Sequence, residues 1–152
     1  MRQLGPRTVA IAGAGAATGL ATARRFAECG EAVVFIDSTV ESVRAAADYV
    51  LAGDGRAAAY RLDPDSVDQW QVLAAMVRER HGPLDALLNC IEIGCPTAIS
   101  GNNGAELDAL VAGVGHGCRA LARQMIDTGV RGQIVNVVPG IDPANHPRRL
   151  AG

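Results

Sequence analysis

Five short apolar segments alternate with longer segments of helical periodicity along this chain of 152 residues. Short apolar runs that contain β-branched residues are typical of parallel strands buried on both faces. The predicted strands are Thr8–Ala12, Ala32–Ile36, Ala57–Leu62, Leu84–Cys90 and Gln133–Val138. Strands that alternate with helices favour right-handed crossovers and place ligands at the carboxyl ends of the strands. We therefore predict an α/β fold built on one parallel sheet of about five strands.

Helix boundaries are indicated by capping residues and glycines. Gly30 suits the position that follows a helix, Ser38 and Glu41 have capping-box spacing, and Asp63-Pro64 suits the start of a third helix. The predicted helices run from about Ala16 to Cys29, from Thr39 to about Leu51, from Asp63-Pro64 to His81, and from about Ala105 to Thr128. Residues 1–152 are predicted to form a single domain, with its core at about residues 7–140 and a loop-like tail at residues 141–152.

Charge and composition exclude several classes of function. The net charge is −2 and the 14 basic residues form no stripe, so we expect neither nucleic acid nor a membrane as partner. The sequence has no run of 18 apolar residues, and its start leads directly into a strand, so we expect a cytoplasmic protein. The four cysteines lack the paired spacing of metal ligands and are interpreted as buried thiols. No metal site is predicted.

A glycine-rich turn follows the first predicted strand. It reads Ala12-Gly13-Ala14-Gly15-Ala16-Ala17-Thr18-Gly19. Glycines there let the backbone turn tightly and approach a pyrophosphate, whose charge meets the N–H groups of the helix start. Asp37 ends the second strand 24 residues after Gly13, where a carboxylate can accept hydrogen bonds from ribose hydroxyls. This order favours descent from a nucleotide-binding protein, and a plain tight turn with a helix-capping aspartate is the alternative.

The chain resembles the short-chain dehydrogenase/reductase family over nearly all of residues 7–140. The turn matches the T-G-x-x-x-G-x-G motif, with Ala17 at the position of the middle glycine. Leu84–Asn89 resembles the family's L-D-x-L-V-N strand, and Gly132–Val137 resembles its G-x-I-V-N-V strand.

The resemblance implies a Rossmann-like, three-layer α/β/α fold with strand order 3-2-1-4-5, lacking the C-terminal part of the family fold. It also implies NAD(H) as cofactor, with Asp37 favouring NAD over NADP. The cofactor-binding residues that it implies are Gly13, Gly15, Thr18, Gly19, Asp37, Leu62, Asp63 and Asn89.

The residues that this family uses for hydride chemistry are replaced. The resemblance implies a relay of a tyrosine, a lysine four residues later, a serine and an asparagine. Pro139 stands at the serine position, Leu110 stands at the asparagine position, and the chain contains no lysine. A tyrosine without such a neighbour has a pKa near ~10, which is too high for a base at neutral pH. We expect that the usual mechanism of the family does not run on these residues.

Two other polar residues are candidates for acid–base chemistry. Glu92 replaces the glycine of the family's N-N-A-G motif, which here reads Asn89-Cys90-Ile91-Glu92. His116 lies in the long helix, one to two turns after Leu110, from where it could face the cleft as a proton carrier. The alternatives are a solvated loop carboxylate for Glu92 and an interface histidine for His116.

Two features predict association with another chain. Gly113, Gly115 and Gly117 each cost about 1 kcal/mol in a helix, so close helix–helix packing should offset them, with a widened pocket as the rival cause. The family dimerises through this helix. A sheet edge bordered by apolar residues also invites pairing, and those residues are Leu87, Leu88, Val135 and Val137. We expect a homo-oligomer or a heteromer.

The predicted function is a non-redox role on a small molecule. The chain would serve as a ligand-binding or partner subunit, or as an acid–base enzyme of the isomerase, dehydratase or cyclase type. One alternative is an NAD-dependent oxidoreductase that works through rearranged residues or within a heteromeric complex. A second alternative is a structural or regulatory partner of a complete family member.

Overall fold

The computed structural model describes residues 6–90 and 104–138, with side chains from residue 108 onward in the second range. The strands are β1 (Thr8–Ala12), β2 (Ala32–Asp37), β3 (Arg56–Arg61), β4 (Leu84–Cys90) and β5 (Gln133–Val137), and the helices are α1 (Ala17–Glu28), α2 (Val40–Leu51), α3 (Val67–His81) and α4 (Gly104–Asp127). Every predicted element is present. All boundaries except the start of α3 fall within one residue of the prediction, which is the usual spread between assignments.

The five strands form one parallel sheet in the order β3-β2-β1-β4-β5. The predicted strand order is confirmed. β1 lies at the centre, where Ala10 is paired with Val34 on one side and with Leu87 on the other. The chain order reverses between β1 and β4, and in open sheets of this kind a crevice opens beyond the carboxyl ends of those two strands.

Successive residues of the central strands face opposite layers. Val9 and Ile11 of β1 belong to the apolar cluster shared with α1 and α2, whereas Ala10 belongs to the cluster shared with α3 and α4. The side chains that are almost completely buried are Phe35, Ile11, Ile36, Leu84, Leu87, Leu121, Val33, Val34 and Val77. This alternation produces the predicted three layers, with helices on both faces of the sheet.

Of Gly113, Gly115 and Gly117 in α4, two make room for neighbours within the same chain. A Cβ atom on Gly117 would lie 2.9 Å from the indole ring of Trp70, and one on Gly113 would lie 3.0 Å from the Cβ of Pro64. Gly115 has only the guanidinium of Arg119 nearby, at 3.8 Å. The close packing predicted for the glycines is therefore intramolecular at Gly113 and Gly117.

The capping predictions for α2 and α3 were wrong. Helix α3 begins at Val67, and the hydroxyl of Ser66 accepts a hydrogen bond from the backbone N–H of Gln69 at 3.3 Å. The carboxylate of Asp63 instead accepts from the N–H of Asp65, inside the loop. The N-cap of α2 is Thr39, without a side-chain capping bond, since its hydroxyl donates to the Ser42 hydroxyl at 2.6 Å, and the hydroxyl of Ser38 donates to Asp37.

Exposure corrects two further predictions. Of the four cysteines predicted as buried, Cys90 is buried, Cys118 is half-buried, Cys29 is exposed at the C-cap of α1, and Cys95 lies outside the described residues. Leu87 is fully buried, because its strand β4 lies between β1 and β5. Val135 on the edge strand β5 is 44% exposed. The open apolar edge is therefore confined to β5.

Over the ranges that the structure describes, no helix combines the length and the apolar character needed to cross a membrane.

Tyr60 and His81 connect the edge strand β3 to the end of α3. The Tyr60 hydroxyl lies 2.8 Å from Nε2 of His81, and the two rings meet edge to face. Burial lowers the pKa of His81 below its ordinary value of 6.5, and the charge of Arg80 lowers it further. The neutral imidazole is therefore the form that the fold stabilises.

We expect the free energy of unfolding to decrease as the pH falls below about 6.5. The reason is that the unfolded chain takes up the His81 proton at a higher pH than the folded chain does, so this contribution is present above that pH and lost below it. Urea unfolding at several pH values between about 7 and 5 measures the slope. The variant His81→Gln, which has no titrating ring, should give a shallower slope, and equal slopes in the two proteins would contradict the assignment.

Candidate functional site

A cleft of about 560 Å³ lies at the carboxyl end of the sheet, where β1, β2 and β4 end. Its lining combines backbone from the glycine-rich turn with side chains from β2, the loop after β3, the end of β4 and the first half of α4. The residues that define its character are Gly13, Gly15, Ile36, Asp37, Ser42, Leu62, Pro64, Asp65, Asn89, Leu110 and Val114. The lining is mainly apolar and includes the carboxylates of Asp37 and Asp65.

The glycine-rich turn packs directly on the end of β4. Gly13 has a φ of +82°, its N–H donates to the Ile36 carbonyl at 3.0 Å, and its own carbonyl accepts from the N–H of Ala16. A Cβ on Gly13 would lie 2.2 Å from the Cys90 carbonyl oxygen. A Cβ on Gly19, inside α1, would lie 3.1 Å from the Gly13 carbonyl oxygen. Gly13 and Gly15 line the cleft, whereas Gly19 packs against Gly13 and does not line it.

The N-terminus of α1 opens toward this turn. Its N-cap is Ala16, which has no side chain able to accept a hydrogen bond, and the first turn contains no acidic residue. The first backbone N–H groups of a helix lack intrahelical partners and carry a partial positive charge. Such an uncapped end suits an anionic group of a ligand. Thr18 is exposed and lies outside the lining of the cleft.

Asp37 stands at the mouth of the cleft, at the end of β2. One carboxylate oxygen accepts from the Gly15 N–H at 3.2 Å, and the other accepts from the Thr39 N–H at 3.3 Å and the Ser38 hydroxyl at 3.4 Å. The turn and the start of α2 thus hold the carboxylate in place. Two carboxylate oxygens offer about four acceptor positions, so capacity for a ligand hydroxyl is left.

Leu62 and Asp63, predicted as neighbours in the site, have different positions. Leu62 is 3% exposed and lines the cleft. Asp63 is exposed and holds the loop together: it accepts from the N–H of Asp65, and its own N–H donates to the Gln69 side chain. Asp65 lines the cleft instead.

Asn89 lines the cleft but uses its amide inside the protein. The side chain is buried, and its Nδ2 donates to the side-chain Oδ1 of Asn136 at 2.8 Å and to the Cys118 sulfur at 3.4 Å. These bonds tie the end of β4 to β5 and α4. Asn89 therefore fixes the floor of the cleft.

The catalytic candidates do not come together in this cleft. His116 lines a second groove, between α3 and α4, and its Nδ1 lies 3.4 Å from the Pro64 carbonyl oxygen. A role as a proton carrier in the first cleft does not fit that position. Glu92 and Pro139 lie outside the described residues. Leu110 lines the cleft and presents an apolar side chain there.

Several lining residues were missed from the sequence. Ser42 lies in the first turn of α2, where a Cβ on Gly15 would be 3.3 Å from its hydroxyl. Val114 and Gly113 belong to α4, and only the packing of that helix brings them to the cleft. Ser42 follows Asp37 closely in the sequence, so the start of the second helix could have indicated it. In α4 the sequence had singled out Leu110, through the resemblance, and Gly113, for which a widened pocket was the rival explanation, whereas no local signal marks Val114.

The fold and the cleft define a Rossmann-like protein with a site at the switch point of its sheet. A family model described as short chain dehydrogenase matches residues 7–141. The chain belongs to the short-chain dehydrogenase/reductase family.

Relatives and solved structures agree with this assignment. A probable oxidoreductase of Mycobacterium tuberculosis and Mycobacterium bovis, EphD, is 31% identical over 137 residues, which are 88% of this chain and 23% of the relative. A short chain dehydrogenase/reductase from Burkholderia phymatum, solved in complex with NAD, is 28% identical with a TM-score of 0.77, over 90% of this chain and 50% of that one. NAD⁺-bound xylitol dehydrogenase is 29% identical with a TM-score of 0.74, over 86% of this chain and 52% of that one. The chain therefore spans about half the length of these solved structures and less than a quarter of EphD.

Gly13 and Gly30 provide a matched pair of substitutions. Both have φ near +80°, at 82° and 81°, but a Cβ on Gly30 meets nothing within 4 Å. Gly30→Ala should cost about 1–2 kcal/mol, which is the strain of a left-handed alanine. Gly13→Ala should cost at least about 3 kcal/mol, because the methyl group also overlaps the Cys90 carbonyl. Chemical denaturation measures both costs, and equal losses would contradict the close contact.

Proposed function

We propose that this chain is a nucleotide-binding protein of the short-chain dehydrogenase/reductase family that binds NAD(H) in the cleft and has a non-redox role on a small molecule. One observation carries the proposal. The cleft keeps an uncapped helix end and a fixed carboxylate at Asp37, while the wall where the family places a relay asparagine is formed by Leu110. The groups that suit nucleotide binding are present, whereas the wall at the family's relay position is apolar.

The described residues fit the adenosine diphosphate part of such a cofactor. The free N–H groups at the start of α1 suit a pyrophosphate, and the Asp37 carboxylate suits a pair of ribose hydroxyls. The apolar side chains of Ile36, Leu62 and Val114 offer a surface for a flat base. When bound, NAD would supply the hydride chemistry that protein side chains lack.

The residues of this chain do not supply the family's proton relay. Leu110 has no hydrogen-bonding group, and Pro139 has neither a hydroxyl nor an N–H. Tyr60 is engaged with His81, and Tyr49 is exposed on α2 beside Arg24, so neither tyrosine lines the cleft. This supports a ligand-binding or partner subunit, or acid–base chemistry that uses other residues, with Glu92 as the remaining candidate.

A second candidate function is an NAD-dependent oxidoreductase that uses rearranged residues or a heteromeric partner. Asp37 favours it, because it stands where the family selects NAD, and the similar proteins described above are named dehydrogenases or oxidoreductases. Oxidation of NADH by the purified chain with a ketone would support this candidate. A purely structural role beside a complete family member is the third reading, and failure to bind NAD would favour it.

Asp37 offers a test of the proposed binding. Calorimetric titration of the chain should show saturable binding of NAD at micromolar to millimolar concentrations, and weaker binding of NADP, whose phosphate the carboxylate repels. Asp37→Asn removes the charge, so NAD should bind about three- to tenfold more weakly and the preference over NADP should shrink. Asp48→Asn is the control, because Asp48 is exposed on α2 and does not line the cleft.

Absence of NAD binding by the unmodified chain would exclude the proposed function. Equal losses in Asp37→Asn and Asp48→Asn would exclude the assigned role of Asp37.

We further propose that the chain associates through α4 and the β5 edge. Val111 and Ile126 are 63% and 73% exposed on α4, and Val135 is 44% exposed on β5. Exposed apolar residues on one helix and an open strand edge are common features of protein interfaces.

The association is tested with charged substitutions on two helices. Sedimentation velocity should show a species larger than the monomer, and Val111→Asp should shift it toward the monomer, because a charge would be buried in the interface. Val72→Asp, at a residue that is 59% exposed on α3, should leave the assembly unchanged. A monomeric unmodified chain would contradict the proposal.

A further inference from the structure

Three contacts from two helices converge on Pro64. The indole Nε1 of Trp70 donates to the Pro64 carbonyl oxygen at 3.0 Å, and Nδ1 of His116 lies 3.4 Å from the same oxygen. The ring of Pro64 packs against Gly113, where an added Cβ would be 3.0 Å from the Pro64 Cβ. A carbonyl oxygen has two lone pairs, so it can accept from both rings at once. These are called the Pro64 contacts below.

Trp70 depends on a second glycine of α4. The indole is 3% exposed, and its ring atoms would lie 2.9–3.1 Å from a Cβ on Gly117. The ring thus occupies space that a side chain on α4 would otherwise fill. This close fit fixes the direction in which Nε1 points, toward the loop that precedes α3.

Pro64 belongs to the β3–α3 loop, residues 62–66, which forms one wall of the cleft. Leu62, Pro64 and Asp65 of this loop line the cleft, together with Gly13 and Gly15 of the glycine-rich turn. Gly113 and Val114 of α4 line it as well. The Pro64 contacts therefore fix the distance between two walls of the same cleft.

We propose that Trp70 and His116 are positioning residues that hold the β3–α3 loop through the Pro64 carbonyl and so determine how tightly the cleft binds a nucleotide base. This inference rests on the proposed binding of NAD. Trp70 is largely buried and also forms part of the cleft lining, whereas His116 acts from the outer groove between α3 and α4, beside Arg119. His116 thus has a role that requires neither proton transfer nor contact with the ligand.

The variants separate donor loss from loss of packing. Trp70→Phe keeps an aromatic ring and removes the N–H donor, and His116→Ala removes the second donor. His116→Asn restores a donor near the position of Nδ1. Val77→Ala is the stability control, because Val77 is fully buried two turns further along the same helix and does not line the cleft.

Two measurements on the full chain test the inference, namely NAD affinity by calorimetry and amide hydrogen exchange of the β3–α3 loop. Trp70→Phe should weaken NAD binding about three- to tenfold and His116→Ala about two- to threefold, because the loop is held less firmly. His116→Asn should return the affinity to within about twofold of the unmodified chain. Exchange in the loop should be faster in Trp70→Phe and His116→Ala, and exchange in β1 and β2 should not change.

The outcomes distinguish failure of the proposed NAD binding from failure of the proposed positioning of the β3–α3 loop. If the unmodified chain does not bind NAD, the proposed function fails, and faster loop exchange in Trp70→Phe and His116→Ala still supports the positioning of the loop. If NAD binds but loop exchange and affinity are unchanged in both variants, the inference is overturned. It is also overturned if Val77→Ala lowers the affinity as much as Trp70→Phe for the same loss of Tm, because a general loss of stability then explains the effect.

Discussion

The contact between the glycine-rich turn and the end of β4 determines the geometry of the cleft. Gly13 adopts a left-handed conformation so closely against the Cys90 carbonyl that no side chain fits between them. The contact brings the start of α1 to the switch point of the sheet and directs its free N–H groups to the cleft. It also leaves Gly15 within hydrogen-bond distance of Asp37. Geometry at one residue thus joins β1, β2 and β4 at the place where a ligand would bind.

The backbone architecture could be predicted from the sequence, because its signals are local and repeated. Short apolar runs marked the five strands, with β-branched residues in β1, β2 and β5, and their alternation with helices set the parallel topology. Capping was less predictable. Ser38 and Asp63 both suit an N-cap, yet their side chains take part in loop bonds, and Ser66 caps α3. Neighbouring polar residues compete for the same backbone N–H groups, and spacing alone does not decide which one wins.

The candidate site was predicted in part, for a related reason. Gly13, Gly15, Asp37, Leu62 and Asn89 line the cleft, since each lies at the end of a strand or in the turn that follows it. Thr18, Asp63 and His116 do not line it, because their placement depends on the direction of a side chain on a helix or loop. The contribution of α4 was anticipated at Leu110 and as a rival explanation at Gly113, and the rest depends on how that helix packs against Pro64 and Trp70. Sequence patterns identify strand ends well and long-range packing poorly.

The fit between Trp70 and Gly117 links two positions that are far apart in the sequence. A bulky residue at position 117 would require a smaller one at position 70, so the effects of substitutions at the two sites should not add. In relatives that carry a larger residue at the position of Gly117 on α4, the position of Trp70 on α3 should carry a smaller side chain. The wall of the cleft would then be supported by a different set of contacts, so members of one family can share a backbone and still differ in the rigidity of this wall.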